Sequence, residues 1–381
     1  METKQRQKMK ILIVGTGLSG SSIARLLKDK GHSVSLIEKE NYVGGLCITR
    51  INEDSLKYEP FGARTFHTRN PKIKDFVTKF DDFNGYTHRK GMIINEKLFP
   101  FPITLEAIND FKEKDKILEE LRNRPKEIDR SNFKKACISI FGETLYGYFI
   151  HNYTSKMWGT DPENLTAEWA PKRLEFRNNG HDDLFLGQWQ GIPVNGYSFL
   201  IEETLKGIPV KLNTSCFNSD DYDVVVSSAP IDQMLDFKFG KLEYRSLRFE
   251  YKKDESWENN RYGTINLPQD ARFIRKCNFN VLHKIESRKN FIQYQEPIKA
   301  DDNNVAMYPV NTERNEEIFR EYLKDICNLN ICPIGRLGLF KYLNMDDAVE
   351  VAFDMVSVVE NYLSLSVDKR YKIINEIRQK Y

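Results

Sequence analysis

Buried-strand and helix patterns alternate from the start of the chain. Ile11-Leu12-Ile13-Val14 is an unbroken apolar run, the pattern of a strand covered on both faces of a sheet. Residues 21–30 have helical composition, Gly31-His32 breaks them, and residues 33–37 read as the next strand. Much later, Asp223-Val-Val-Val-Ser-Ser-Ala-Pro230 repeats the buried-strand pattern and ends in a turn, which suits a return into the same sheet. Cys332-Pro-Ile-Gly-Arg336, followed by a helix over about 345–363, predicts one more return.

The middle of the chain follows other periods. Gly91-Met92-Ile93-Ile94 and Lys97-Leu98-Phe99 predict a hairpin around Asn95-Glu96, ended by Pro100 and Pro102. Residues 105–148 place apolar side chains at helical spacing, with helices expected at 105–114, 116–124 and 132–148. A turn near Pro193 leads into a helix reaching Lys206. From 241 to 309 the pattern alternates, with strands expected at 242–251, 262–267, 272–278, 291–295 and 306–308. These read as an antiparallel sheet offering a broad face to a substrate. The charged segment 367–381 reads as an exposed amphipathic helix with no assigned function.

Composition narrows the classes of partner. A 381-residue chain is long enough for two or three domains with a substantial core. Its net charge of +2 gives no basic field for nucleic acid or a membrane surface. The 40% hydrophobic and 12% aromatic content suits a globular protein, and no stretch approaches the ~20 apolar residues of a membrane span. The first nine residues carry no apolar leader segment. Cys47, Cys137, Cys216, Cys277, Cys327 and Cys332 are scattered without metal-like pairing and read as reduced thiols of a cytoplasmic protein. No Ser-His-Asp grouping, Cys-His pair or metal-ligand spacing stands out.

The chemistry begins at the first turn. Gly15, Gly17 and Gly20 complete G-x-G-x-x-G between the first strand and its helix, with Leu18 and Ser19 filling the gap. The first glycine permits the tight turn, the second lets backbone approach a pyrophosphate, and the third lets helix and strand sit close. Glu38, 18 residues beyond Gly20, has the reach to hydrogen-bond a ribose hydroxyl and would repel the extra phosphate of NADP. Lys39 follows, and Gly44-Gly45-Leu46 comes six residues after the acid. An acid and then a Gly-Gly pair resembles the FAD fingerprint of glutathione-reductase-type and amine-oxidase-type flavoproteins, where a Cβ would collide with the cofactor. FAD is therefore the expected dinucleotide.

A longer series of landmarks resembles the UDP-galactopyranose mutase family, over nearly the whole chain. It runs through Gly62-Ala-Arg-Thr-Phe-His-Thr68, Tyr153-Thr-Ser-Lys-Met-Trp-Gly159, Gln190-Gly-Ile-Pro-Val-Asn-Gly-Tyr197, Ala229-Pro-Ile-Asp-Gln233, Leu242-Glu-Tyr-Arg-Ser-Leu-Arg-Phe249, Tyr308-Pro-Val-Asn311 and Gly335-Arg-Leu337 with Lys341-Tyr342. The resemblance implies an α/β fold with α+β insertions. A discontinuous Rossmann-type FAD-binding domain is expected over 1–80, 205–240 and 320–365, and a helical domain over 103–165. An antiparallel sheet domain for substrate is expected over 81–102, 166–204 and 241–319, followed by the tail 366–381. It also implies a redox-neutral mutase needing reduced FAD, whose N5 attacks the anomeric carbon as the nucleoside diphosphate leaves. The sugar, held on the flavin, opens and recloses through another hydroxyl. Partners implied are a nucleotide sugar, a reductant such as NAD(P)H or a flavin reductase, and a second copy in a homodimer. The furanose product would feed polysaccharide biosynthesis.

The same resemblance assigns the site residues. Arg173 and Arg272 match the pair of phosphate-binding arginines, two-pronged cations that hold the departing diphosphate. Asn178-Asn179-Gly180 would hinge the Arg173 loop. Tyr308 and Tyr342 match tyrosines that donate to the diphosphate, and Arg245 is expected among the substrate-binding residues. Phe149 and Tyr153, four apart, would share a helix face and sandwich a uracil ring, with Trp158 beside the sugar. Arg336 and Met345 match positions around the isoalloxazine, where a helix N-terminus would favour the anionic reduced ring and Asn344 would cap it.

Three positions depart from the family pattern. His67 is present, but Arg64 replaces an earlier histidine of G-x-H-x-F-H-T; Leu184 stands where an aromatic is usual; and Asp346-Asp347 follow Met345. These changes open the sugar to N-acetylated or deoxygenated hexoses, including UDP-N-acetylgalactosamine, or to a dTDP-linked sugar. Two other classes stay open at this stage: an amine-oxidase-type FAD oxidoreductase and a non-catalytic nucleotide-sugar sensor.

Overall fold

A computed structural model describes residues 8–167, 175–253, 256–286, 289–301 and 304–381. Lys10–Val14 is the central strand of a five-stranded parallel sheet. Its order is Val210–Lys211, Ser33–Ile37, Lys10–Val14, Val224–Ser227, Ile331–Pro333. Ile11, Leu12, Ile13, Val224, Val225 and Val226 are all buried, as the apolar runs require of a sheet covered on both faces. The helix Leu18–Asp29 leaves the glycine turn and packs against Tyr197–Leu205 and Met345–Asn361. This is a Rossmann-type dinucleotide-binding core assembled from distant stretches of chain.

A seven-stranded sheet stands beside it. Its order is Tyr308–Pro309, Tyr244–Lys253, Phe291–Lys299, Arg275–Asn278, Thr264–Asn266, Lys90–Ile94, Lys97–Phe101. Every pairing is antiparallel except one: Thr264–Asn266 runs parallel to Lys90–Ile94. The expected purely antiparallel sheet is corrected to a mixed one, because the hairpin comes from an earlier part of the chain and joins by its side. Asn95 and Glu96, both at positive φ (49° and 65°), make the two-residue turn of that hairpin.

The helical part is less regular than its spacing predicts. The 105–114 segment is a 3₁₀ turn at Glu106–Asp110, and the next helix is Lys114–Arg122. Asn132 caps Phe133–Leu145 by accepting the N–H of Lys135, and Gly142 (φ 77°, ψ 169°) kinks it. A π-helical turn, Tyr146–His151, then leads into Asn152–Trp158, which Gly159 ends in the left-handed conformation.

Two further expectations change. The described residues of 166–204 give no strand to the seven-stranded sheet. Phe176–Arg177 pairs with Ile103–Thr104, Trp189–Gly191 pairs with Phe66–Thr68, and Tyr197–Leu205 packs on the nucleotide-binding core. The tail is not an exposed helix either. Val367–Lys380 packs against Met345–Asn361 and Glu313–Ile326, burying Arg370, Ile374 and Arg378.

The third glycine of the turn is the tightest contact: a Cβ on Gly20 would sit 2.1 Å from the Gly15 carbonyl oxygen. At Gly31 a Cβ meets nothing within 4 Å, and only its φ of +91° opposes a side chain. Gly31→Ala should therefore cost about 1–2 kcal/mol. Gly20→Ala should lower the Tm several-fold more and yield protein without bound flavin, read by thermal unfolding and visible absorbance.

Candidate active site

The dinucleotide end is built from three loops at the carboxyl edge of the parallel sheet. Gly17 is the N-cap of Leu18–Asp29 and supplies no side-chain cap, and the first turn carries no acid. The positive helix end is thus left open to an anion. A Cβ on Gly17 would meet only the Gly44 carbonyl, at 3.9 Å, whereas one on Gly45 would press within 3.3 Å of Gly17 Cα. Glu38 is buried; its carboxylate accepts from Thr16 N (2.9 Å), Thr16 Oγ1 (2.7 Å) and Glu40 N (3.1 Å). Ser19 is buried close to Gly335, and Lys39 lies on the surface beside Glu40. An open glycine edge, an uncapped helix and a carboxylate at the second strand end fit an FAD.

From that edge a cavity of about 690 Å³ runs between the seven-stranded sheet and the helical part. Arg64, His67, Phe149, Tyr153, Trp158, Tyr308, Arg336, Tyr342 and Met345 all line it. Tyr308 and Tyr342 stack (5.7 Å between ring centres, 13°), and Trp158 meets Tyr308 edge-on. Arg336 lies over both tyrosine rings, at 4.7 Å from Tyr342 and 5.3 Å from Tyr308. It donates to the carbonyls of Met307 (3.0 Å) and Leu343 (2.6 Å). Asn344 and Asp347 form a capping box on the Met345–Asn361 helix, whose first residues reach the cavity.

Other expected residues lie elsewhere. Arg173 falls outside the described residues. Arg272 is half exposed, paired with Glu250 and Glu296 at 2.9 Å each, and does not reach the cavity. It sits in a turn before the strand, where Asp270 accepts the N–H groups of 272 and 273. The arginine of this segment that does line the cavity is Arg275, on the strand itself, bonded through its guanidinium to the Tyr153 hydroxyl and to Asn266 (3.1 Å). Burial works against its charge, while Tyr153, Cys277, Tyr308 and Tyr342 around it raise its pKa above the usual arginine value. Arg245 also stays out of the cavity; it donates to the carbonyls of Met157 (2.8 Å) and Lys156 (3.3 Å), anchoring the helix end that carries Trp158. Leu46 packs against the helical core. Phe149 is fully buried against Phe99 and Phe111, in the π turn, so it and Tyr153 do not share a regular α-helical face.

Sequence reasoning missed two residues of the histidine end. His67 stacks on Phe185 at 3.5 Å, and His88 stacks on the same ring at 5.8 Å. Phe185 thus supplies an aromatic one residue beyond Leu184, which also lines the cavity. The visible signal was an aromatic adjacent to the expected position. His67 Nδ1 is 2.9 Å from Gln188 Oε1 and 3.9 Å from Asp346 Oδ2. Burial, then the cations Lys90 and Arg275 and the neighbouring His67, hold His88 well below the usual histidine range, hence neutral. Among the described residues no group of acids, histidines and cysteines is arranged to hold a metal, and no helix is long and apolar enough to cross a membrane.

With this geometry, the similarities are specific. The UDP-galactopyranose mutase family matches residues 148–342, and the NAD(P)-binding Rossmann-like domain matches 13–80. A dTDP-fucopyranose mutase of Escherichia coli is 29% identical over 91% of this chain and 97% of its own. A Klebsiella pneumoniae protein named a probable UDP-galactopyranose mutase is 30% identical over 94% and 97%. A crystal structure of reduced UDP-galactopyranose mutase superimposes with a TM-score of 0.78 at 16% identity, covering 97% of this chain and 99% of that one. By contrast, an L-amino acid oxidase of Bothrops pictus is 32% identical over only 19% of this chain.

The family match and these relatives define an isomerase of the nucleotide-sugar mutase class, built on a Rossmann-type flavoprotein fold. The chain belongs to the UDP-galactopyranose mutase family.

Asp346 offers a titration test. Burial first, and Asp347 second, push its carboxyl up to about 7. The folded protein therefore holds a proton that the unfolded chain releases, so this group's stability contribution falls as pH rises from about 4 to about 7. Asp346→Asn removes the loss. The Tm advantage of the variant over wild type should be absent near pH 4 and grow up to about pH 8; an advantage independent of pH would contradict the assignment.

Proposed function

We propose that this chain interconverts the pyranose and furanose forms of a UDP- or dTDP-linked hexose, using reduced FAD. The observation that carries the reading is Arg275. Its guanidinium faces the cavity, bonded to a phenol and an amide, and no carboxylate lies within ion-pair distance among the described residues. A cation held there without an acidic partner is an anion site in waiting.

A reduced FAD, which Gly17, Gly45 and Glu38 would hold, would supply the electron pair for displacing the diphosphate at the anomeric carbon. The residues of the chain do the rest. Arg275 takes the charge that develops on the diphosphate, and Tyr308 and Tyr342 donate hydroxyls to its oxygens. Arg173 is proposed as the second cation on the same group. Holding the diphosphate in place lets it return to the same carbon after the sugar has changed ring size. Phe149, Tyr153 and Trp158 form the apolar end for the nucleoside base. His67, Arg64 and His88, the last of them neutral, also line the cavity. Reducing equivalents come from NAD(P)H or a flavin reductase.

The relatives set the candidate sugars, since one is named for UDP-galactopyranose and another for dTDP-fucopyranose. Dithionite-reduced protein should convert at least one of UDP-galactose, UDP-N-acetylgalactosamine and dTDP-fucose to a furanose, resolved by chromatography. Equal activity of the oxidised protein, or no product from any of the three, would refute the proposal. Arg275→Ala should lower kcat by about 10²–10³, with Arg275→Lys recovering part, while Arg272→Ala should leave kcat close to wild type.

A further inference from the structure

The C-terminal helix Val367–Lys380 contributes nothing to the cavity lining, yet it holds the turn between two lining residues, Arg336 and Tyr342. Arg378 is 4% exposed. Its Nε donates to the carbonyl of Leu339 (2.8 Å), and its Nη2 donates to the carbonyl of Phe340 (3.1 Å) and to Glu316 Oε1 (2.5 Å). The guanidinium also lies 4.2 Å from the centre of the Phe319 ring. Three acceptors and one aromatic face thus fix the cation in one place.

The two carbonyls it holds are consecutive and belong to a constrained turn. Phe340 adopts φ +44°, a left-handed backbone that a bulky side chain avoids unless its surroundings impose it. On one side of this turn is Gly335–Gly338 with Arg336; on the other is Tyr342. Arg336 closes the loop by binding the carbonyl of Leu343 and lying over the Tyr342 ring. A displacement of Leu339 and Phe340 would move both cavity-facing side chains together.

We propose that Arg378 is a positioning residue of the ligand site, pinning the Leu339–Phe340 turn and so setting where Arg336 and Tyr342 stand in the cavity. This rests on the reading of those two side chains as ligand-facing. Arg370 of the same helix is the built-in comparison. It is also buried, and it donates to the carbonyls of Tyr362, Cys327 and Leu329, none of which lines the cavity.

The test compares Arg378→Met combined with Glu316→Gln, which leaves no lone buried carboxylate, with Arg370→Met and with Arg378→Lys. Readouts on the full chain are Tm, amide hydrogen exchange over 335–342, and UDP affinity by intrinsic-fluorescence titration. Both Met variants should lower the Tm. Only the Arg378 double variant should speed exchange over 335–342 and weaken UDP binding about tenfold, with Arg378→Lys intermediate. Should the double variant fail to fold, Arg378→Lys against Arg370→Met decides by the same readouts. Unchanged exchange over 335–342, or the same change in Arg370→Met, would overturn the proposal. Failure of wild type to bind UDP would count against the ligand reading alone, because the exchange measurement needs no ligand.

Discussion

One buried carboxylate ties the architecture of the site together. Glu38 accepts from both the backbone and the hydroxyl of Thr16, and that hydroxyl in turn accepts the N–H of Gly44 at 3.1 Å. The turn after the first strand and the loop after the second are therefore fixed at one separation, with Gly45 against Gly17. Charge-assisted hydrogen bonds shielded from water are stronger than neutral ones. From this joint the chain runs through Leu46 and Cys47, whose sulfur lies 3.8 Å from that of Met345. The cofactor edge and the cavity wall are in this way parts of one continuous set of contacts.

The cavity itself concentrates positive charge where three segments of chain converge. Arg64 comes from the loop after the first crossover, Arg275 from the seven-stranded sheet, and Arg336 from the last return to the parallel sheet. Arg64 donates to the Gly62 carbonyl, Arg275 is bonded to Tyr153 and Asn266, and Arg336 donates to two carbonyls. A neutral partner orients a cation without cancelling its charge. The π-helical turn next to Tyr153 belongs to the same pattern, since such turns recur where a helix must re-aim a side chain.

How much of this was legible in the sequence depends on whether a feature is local. The strand, glycine turn and acid were readable because each requirement acts within a few residues, and of the later landmarks Tyr153, Trp158, Tyr308, Arg336 and Tyr342 lie together around one cavity. The arginine in the sheet was not readable. Arg272 and Arg275 are three apart in an apolar context, and only the turn closed by Asp270 decides which one enters the strand. His88 and Phe185 meet only through the fold, from segments without a motif. Arg370 and Arg378 sit in a helix whose charge pattern reads as solvent-facing, because a guanidinium bonded to distant carbonyls leaves no trace in spacing.

The strand order of the parallel sheet has a consequence for biosynthesis. Lys10–Val14 pairs on one side with Ser33–Ile37, made soon after it, but on the other with Val224–Ser227, which in turn waits for Ile331–Pro333. During translation, therefore, the central strand keeps one edge unpaired for about two hundred residues of synthesis, roughly ten to forty seconds at ribosomal rates. An apolar strand with a bare edge is a template for aggregation. Whatever shields the nascent amino-terminal segment over that interval bears on the yield of the protein as much as the stability of its finished fold does.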